Sequence, residues 1–351
     1  MAKTPLDALH RRLGARMVDF AGYEMPLHYA AGIMAEHQAC RSAAALFDVS
    51  HMGQVEIADP ASFAPLVPGD VTGLKPGRQR YTLLLNEAGG ILDDLMMANL
   101  GAHFQLVLNA GRKAADVAHM RGLGLDVHPR FDRALLALQG PRAAALCPEA
   151  AHLKFMDAAT LEIGGIACGV TRSGYTGEDG FEIGCAGEAG ETLAELLLAR
   201  GAAPAGLGAR DSLRLEAGLC LYGNDIDEST DPVSAGLTFA LSKKRLAAGD
   251  FIGAAAVNKI LAEGPAERLV GIRLEGRAPA RAGTEIRAHN GEAAGRVTSG
   301  LFSPTLGAPI ALGYVRAQQA APGTALDLIV RGRALPGQVA PLPFVPHHYV
   351  R

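Results

Sequence analysis

Two adjacent carboxylates, Asp93 and Asp94, stand where a hydrophobic strand is expected. They follow the glycine turn Gly89–Gly90 and precede the apolar run Leu95-Met-Met97. Aspartate is rarely buried, and capping a turn or facing solvent is the ordinary alternative for such a pair. A desolvated carboxylate instead acts as an acid, a base or a charge partner for a substrate nitrogen. The pair is therefore a candidate for chemistry.

Only one of the two carboxylates can enter a given pocket, because successive strand residues point to opposite faces. If a hairpin pairs residue 85 with residue 91 without irregularity, Asp93 shares a face with Tyr81. A β-bulge or an altered register reverses this and places Asp94 beside the tyrosine. The strand pattern alone leaves both assignments open.

Glu182 is a second candidate, because it lies between the apolar residues Phe181 and Ile183. It ends a segment, Ser173–Ile183, whose glycines predict a turn between two strands. In an alternating strand its ordinary position is the solvent face. Facing inward, the carboxylate would accept two hydrogen bonds from an amidine-like ring edge.

Arg210 and Arg214 lie in the segment Gly206–Gly218, which the sequence pattern predicts to be helical. Their spacing places both guanidinium groups on one helix face, an arrangement suited to clamping an anion. The ordinary alternative is that they pair with Asp211 and Glu216 on the helix surface.

Three further polar side chains suit the recognition of a heterocycle. Asn109 ends a predicted strand, and its amide offers both a donor and an acceptor, although a turn role is common for such a residue. Tyr81 and Tyr175 would stack on an aromatic ring, or pack in the ordinary way with their hydroxyls satisfied.

These residues require an antiparallel scaffold with helices beside it. Strands are predicted between 79 and 109 and between 160 and 185, and helices near 187–200 and 207–219. Apolar residues at helical spacing also predict a helix from Ile33 that ends near Asp48. Beyond Gly264-Pro265, short strands alternate with turn residues, which predicts a small barrel or jelly roll.

Composition indicates a folded α+β protein of two or three domains. The chain has 351 residues, of which 49% are hydrophobic and 20% charged, and its 43 glycines imply many turns. A net charge of -3 argues against a nucleic-acid partner.

The sequence contains no apolar run long enough to span a membrane and no signal peptide, so we expect no membrane partner and a cytoplasmic location. The five cysteines are widely spaced, and the histidines show no metal-binding spacing, so we expect no metal. Glycine-rich fingerprints for dinucleotides or nucleoside triphosphates are absent.

With these residues assembled, the chain resembles the aminomethyltransferase, or T-protein, family of the glycine cleavage system. The resemblance runs from end to end through several long motifs: Gly14-Ala-Arg-Met-Val-Asp-Phe-Ala-Gly-Tyr-Glu-Met-Pro26, Phe47-Asp-Val-Ser-His-Met-Gly53, Gly89-Gly-Ile-Leu-Asp-Asp-Leu95, Gly174-Tyr-Thr-Gly-Glu-Asp-Gly180, Ala209-Arg-Asp-Ser-Leu-Arg-Leu-Glu-Ala217, Tyr222-Gly-Asn-Asp-Ile226 and Ser299-Gly-Leu-Phe-Ser-Pro304.

The resemblance implies a three-domain cloverleaf of antiparallel sheets with flanking helices, arranged around a central hole that holds tetrahydrofolate. Residues 1–264 would form two interleaved α+β domains, the second including about 54–133, and residues 265–351 the C-terminal β-barrel. The implied reaction takes the aminomethyl group from the lipoyl arm of the H-protein, releases ammonia and forms 5,10-methylenetetrahydrofolate. Tetrahydrofolate is the co-substrate, the lipoylated H-protein is the partner, and no metal is implied.

By its motif, Asp94 matches the catalytic carboxylate of the family, which interacts with a folate nitrogen. Glu182 matches the acid that binds the pterin edge. The remaining matches are folate or substrate contacts, the last of them in a C-terminal segment: Tyr81, Asn109, Tyr175, Arg210 and Tyr349.

Two other functions share this resemblance. One is a tetrahydrofolate-dependent demethylase of a small methylated compound, which would use the same pocket without a lipoyl partner. The other is a non-catalytic folate-binding accessory protein, against which the presence of Asp94 argues.

Overall fold

The computed structural model describes residues 1–351. It contains twenty strands: β1 (Ala2–Lys3), β2 (Arg16–Phe20), β3 (Tyr23–His28), β4 (Ala45–Asp48), β5 (Gly53–Ile57), β6 (Arg78–Leu85), β7 (Ile91–Asn99), β8 (Phe104–Leu108), β9 (Val127–Pro129), β10 (Ala134–Gln139), β11 (Ala158–Ile163), β12 (Ile166–Thr171), β13 (Gly180–Cys185), β14 (Ala203–Ala205), β15 (Glu267–Leu274), β16 (Glu285–Ala288), β17 (Ala293–Ser303), β18 (Ala308–Arg316), β19 (Ala325–Val330) and β20 (Arg333–Ala340).

Nine α-helices accompany the strands: α1 (Asp7–Arg12), α2 (Ile33–Ser42), α3 (Pro60–Phe63), α4 (Lys113–Gly122), α5 (Ala143–Leu146), α6 (Gly187–Ala199), α7 (Leu207–Glu216), α8 (Lys243–Ala248) and α9 (Ala254–Glu263). None of these helices combines the length and apolar character that crossing a membrane requires.

A five-stranded sheet in the order β6-β7-β8-β5-β9 carries the two adjacent aspartates. All of its strand pairs are antiparallel. One face packs on a buried cluster that includes Phe63, Leu95 and Met97, and helix α4 contributes Val117 and Met120 to the same cluster. The other face is thereby left to line a cleft.

A six-stranded sheet in the order β11-β12-β13-β10-β4-β14 carries Glu182 on β13. Only the edge pair of β14 and β4 is parallel. Helix α6 covers this sheet through Leu193 and Leu197, which pack against Phe181 and Ile183 in one buried cluster. In sequence, the strands of the five-stranded sheet lie between β4 and β10 of this one.

The C-terminal strands close into a six-stranded barrel in the order β15-β18-β17-β16-β19-β20. Every pairing in the barrel is antiparallel, including the closing pair of β15 and β20. The expected α+β class, with antiparallel sheets, flanking helices and a C-terminal barrel, is therefore confirmed.

The predicted long helix from Ile33 to near Asp48 is wrong in its second half. Helix α2 ends at Ser42, and β4 follows as an inner strand of the six-stranded sheet between β10 and β14. All four residues of β4 are buried. A strand buried on both faces has no alternating pattern, so its apolar residues continued the helical spacing by coincidence.

Candidate functional site

A β-bulge in the hairpin of β6 and β7 decides which aspartate faces the cleft. Leu85 pairs with Ile91, but Leu84 pairs with Asp93, so β7 contains one extra residue at this point. Beyond the bulge, the register brings Asp94 onto the same face as the tyrosine of β6. The sequence pattern had left this choice open, and the bulge is the physical reason why it falls on Asp94.

The Asp94 carboxylate accepts hydrogen bonds from two neighbouring strands. The Tyr81 hydroxyl on β6 donates to Oδ2 at 3.0 Å, and the Asn109 side-chain amide, just beyond β8, donates to Oδ1 at 2.7 Å. Three of the predicted site residues are therefore in direct contact. No basic side chain takes part in these contacts, so Asp94 is held by neutral donors alone.

This environment disfavours the ionised form of the Asp94 side chain. Burial raises the pKa of Asp94 to about 7, and the neighbouring Asp93 acts in the same direction. The donors Tyr81 and Asn109 partly oppose this shift because they stabilise the charged form. A carboxyl group with a pKa near neutrality is suited to accepting or donating a proton.

Glu182 occupies the six-stranded sheet, opposite Ala137 of β10 and Thr171 of β12. The Ser173 hydroxyl donates to its Oε2 at 3.2 Å, and this is the only hydrogen bond to the Glu182 carboxylate. Burial raises the pKa of Glu182, and the nearby Arg210 opposes the rise. Its carboxylate therefore retains unused acceptor capacity.

Arg210 lies near the start of helix α7, with its guanidinium carbon 4.7 Å from the ring centroid of Tyr175. Its Nη1 atom is buried without a hydrogen-bond partner. The Tyr175 hydroxyl is satisfied, because it donates to the Cys220 carbonyl. Arg210 thus presents an unused donor beside an aromatic ring.

Polar groups from the two sheets lie close enough to influence one another electrostatically. Burial raises the pKa of Tyr175, and the Asp94 charge acts on that pKa from the other sheet. A cleft between the sheets is lined from one side by Gln79, Met96 and Val107 and from the other by Glu182. Of the seven predicted site residues, Glu182 lines this cleft directly, and Asp94 and Tyr81 lie on the sheet face that carries Met96.

Tyr349 is the seventh, and it packs outside these contacts. Its ring stacks on Phe155, with centroids 4.2 Å apart and planes 7° from parallel. Burial raises its pKa to about 12. The residue before Tyr349 contacts the turn that precedes β13, because the His348 backbone N–H donates to the Gly177 carbonyl at 2.8 Å.

The predicted clamp of Arg210 and Arg214 is wrong. Arg214 is 1% exposed, and its guanidinium donates to Asp211 at 2.8 Å, to Asp225 at 2.6 Å and to the Ser299 hydroxyl of the barrel at 2.8 Å. All of these contacts are internal. Arg214 therefore joins α7 to the barrel, and only Arg210 has a free donor.

Two polar residues near the site were not singled out from the sequence. Gln79 is buried on β6, and its Oε1 atom has no partner. Asp116 is 1% exposed on α4, and its Oδ2 atom has no hydrogen-bond partner. Asp116 could have been found from the sequence, because helical spacing places it on the same helix face as the apolar residues Val117 and Met120. Gln79 gave no comparable signal.

The structure contains no group of three or more histidine, cysteine, aspartate or glutamate side chains that could hold a metal ion. All five cysteines are free and buried.

Comparisons with known proteins agree along the whole chain. The family model described as the GCVT N-terminal domain matches residues 6–245, and the glycine cleavage T-protein C-terminal barrel domain matches residues 267–346. A solved structure, the glycine cleavage system aminomethyltransferase T from Bartonella henselae, superposes with a TM-score of 0.94 at 41% identity. The match covers 100% of this chain and 99% of that one.

Curated relatives carry the same name. The mitochondrial aminomethyltransferase of Gallus gallus is 45% identical over 368 residues, covering 99% of this chain and 94% of that protein. The aminomethyltransferase of Rubrobacter xylanophilus is 44% identical over 360 residues, covering 98% and 94%. The mitochondrial enzyme of Flaveria trinervia is 43% identical over 372 residues, covering 100% and 91%. This chain belongs to the glycine cleavage T-protein family of aminomethyltransferases.

Proposed function

We propose that this aminomethyltransferase moves a one-carbon unit from the aminomethylated lipoyl arm of an H-protein to tetrahydrofolate. The carbon leaves its sulfur and its amino group and becomes the methylene bridge between two folate nitrogens. The two protons displaced from those nitrogens end on the lipoyl thiol and on ammonia. The observation that carries the proposal is a half-buried carboxylate, Asp94, held only by neutral donors in a cleft between two sheets.

Asp94 is the proposed catalytic residue. Its carboxylate would stabilise positive charge that develops on a folate nitrogen and accept the proton that this nitrogen loses. Tyr81 and Asn109 hold the carboxylate in place from two strands, so little reorganisation is needed during the reaction.

The opposite wall of the cleft suits the pterin ring. Glu182 has unused acceptor capacity for the amidine edge, and that edge would supply hydrogen bonds that its half-buried carboxylate lacks. The unpartnered Nη1 of Arg210 and Oε1 of Gln79 offer a donor and an acceptor to the same polar ligand. Unsatisfied buried atoms of this kind are costly unless a ligand or water completes them. Tyr349 stays a predicted contact.

The decisive experiment supplies tetrahydrofolate and lipoylated, aminomethylated H-protein and measures methylenetetrahydrofolate and ammonia. We expect both products in equal amounts. Turnover of a methylated amine without transfer from the H-protein would instead identify a demethylase. Folate binding with neither activity would identify an accessory protein.

Two of the relatives described above are named as mitochondrial enzymes. The cytoplasmic location of this chain stays a prediction.

A further inference from the structure

After β20, residues 341–351 leave the barrel and return to the elements beside the six-stranded sheet. The Val345 backbone N–H donates to the Glu216 carbonyl at the end of α7, at 2.9 Å. Further along, the Val350 carbonyl accepts from the Phe155 backbone N–H at 2.8 Å, shortly before β11. Residues 341–351 therefore form a C-terminal strap that is fixed at both ends.

His348 of the strap contacts the turn of residues 173–179, which joins β12 to β13. Its backbone N–H donates to the Gly177 carbonyl at 2.8 Å. Its Nδ1 atom lies 2.9 Å from Glu178 Oε2. An ionised carboxylate only accepts hydrogen bonds, so Nδ1 carries a hydrogen and donates it. The strap thus holds the 173–179 turn through both a backbone and a side-chain contact.

Glu178 depends on this donor. Its side chain is 3% exposed, its Oε1 accepts from Arg41 Nη1 at 2.8 Å, and its Oε2 accepts from His348 alone. A buried oxygen that loses its one donor is destabilised, so the carboxylate then has to move toward water. The His348 side chain is 57% exposed, so its replacement opens no cavity in the core.

The same turn carries two groups of the cleft wall. The Ser173 hydroxyl donates to Glu182 Oε2 at 3.2 Å. The Tyr175 ring lies 4.7 Å from the guanidinium carbon of Arg210. The position of the turn therefore sets the surroundings of both Glu182 and Arg210.

Gln139 of β10 holds the inner side of the turn. Its Nε2 donates to the Ser173 carbonyl at 2.9 Å, and its Oε1 accepts from the Thr176 hydroxyl at 2.8 Å. On the outer side, Arg41 Nη1 donates to the Thr176 carbonyl at 2.8 Å. The turn is thus held from inside by β10 and from outside by Arg41 and the strap.

We propose that His348 is a positioning residue for tetrahydrofolate, acting through Glu178 on the turn that places Ser173 and Tyr175. Its loss loosens this wall of the cleft and weakens binding of the co-substrate. Asp94 is held by groups on the five-stranded sheet that do not contact the strap, so its chemistry is left intact. The inference rests on the proposed function, because it assigns His348 to the binding of that reaction's co-substrate.

The binding test compares three histidine variants by calorimetry with tetrahydrofolate. His348→Ala removes the donor to Glu178, so we expect Kd to rise by roughly threefold to tenfold. His348→Asn should restore a Kd near that of the wild type, because its amide nitrogen can take the place of Nδ1. His289→Ala is the matched control, since His289 is 88% exposed on the barrel. An unchanged Kd in His348→Ala, or an equal rise in His348→Asn or in the control, overturns the proposal.

Steady-state kinetics separate positioning from a general loss of stability. In His348→Ala we expect the KM for tetrahydrofolate to rise with Kd while kcat stays within about twofold of the wild type. A fall in kcat with an unchanged KM contradicts the proposal.

Hydrogen exchange tests the strap without any assay of activity. In His348→Ala the amides of residues 173–179 should exchange faster, whereas those of β6, β7 and β8 should not change. Unchanged exchange in the turn shows that the strap does not hold it and refutes the proposal. Failure of the wild-type protein to transfer from the H-protein would instead refute the proposed function and leave the exchange result standing.

Glu178→Gln breaks the same contact from the other side and serves if His348→Ala fails to fold. In either orientation its amide nitrogen faces a donor, so the turn should loosen and Kd should rise as in His348→Ala. Adding His348→Ala to Glu178→Gln should raise Kd little further, because the two residues act through one contact. Fully additive effects would show that they act separately and would contradict the proposal.

Discussion

The Tyr81 hydroxyl donates to Asp94 Oδ2 at 3.0 Å across two neighbouring strands. This contact exists because one extra residue in β7 rotates Asp94 onto the tyrosine's face. A neutral donor stabilises a carboxylate without neutralising it, so the group keeps the capacity to respond to a substrate's charge.

Replacing Asp94 by Asn should abolish transfer while preserving the fold. The amide keeps the shape of the side chain but cannot accept a proton or balance a developing positive charge. We expect kcat for transfer from aminomethylated H-protein to fall by about a hundredfold or more, with much of the tetrahydrofolate affinity retained. The matched control is Asp126→Asn, whose carboxylate is 85% exposed. Near wild-type turnover of Asp94→Asn would remove Asp94 from the mechanism.

The transfer rate should depend on pH through the ionisation of Asp94. The carboxylate is the active form, so kcat/KM should fall as the pH drops through about 7. Tyr81→Phe removes a donor that stabilises the charged form, which raises the pKa of Asp94. The acid limb should therefore move upward by roughly half to one pH unit. A limb that stays in place, or moves downward, would show that another group controls it.

Glu182→Gln should weaken folate binding without weakening the fold. One acceptor of the carboxylate becomes a donor that repels the amidine edge, so we expect the tetrahydrofolate Kd to rise by roughly tenfold to a hundredfold in calorimetry. Because burial raises the pKa of Glu182, its ionisation opposes folding as the pH rises. The thermal midpoint of Glu182→Gln should equal or exceed that of the wild type at about pH 8. Unchanged affinity would refute its role in binding, and Glu188→Gln is a surface control.

Arg214→Met should destabilise the protein, because it leaves Asp225 buried without its cation. The Asp225 side chain is 0% exposed and lies 2.6 Å from the guanidinium. We expect the free energy of unfolding in urea to fall by about 3–5 kcal/mol. Arg287→Ala removes an arginine that is 45% exposed and pairs with Glu285, and it should leave the free energy of unfolding nearly unchanged because solvent screens this pair. Equal effects of the two substitutions would contradict the assignment of Arg214 as a structural link.

Much of the architecture was predictable from local patterns. The strands between 79 and 109 alternate in hydrophobicity and are separated by glycine turns, and the structure places β6, β7 and β8 there. The C-terminal barrel was predictable from short strands that alternate with frequent turn residues. Strand β4 was missed because it is buried on both faces, which removes the alternation that identifies a strand.

Within the candidate site, residue types were easier to predict than their neighbours. Asp94 and Glu182 attracted attention because carboxylates stood among apolar residues, and Arg210 because it lies four residues from Arg214 on a predicted helix. The structural role of Arg214 depends on its hydrogen bond to Ser299, which is distant in sequence, and no local sequence pattern indicates that contact. Hydrogen-bond partners that are far apart in sequence are decided by packing.

The sequence by itself determined the α+β class, the C-terminal barrel and, through its long motifs, the family to which the chain belongs. The alternation of side chains along a strand separates two faces but carries no information on register, because a shift of one residue exchanges them. Only the tertiary structure, through the bulge in β7, decided that Asp94 shares the face of Tyr81 and that Asp93 lies on the opposite face of the sheet.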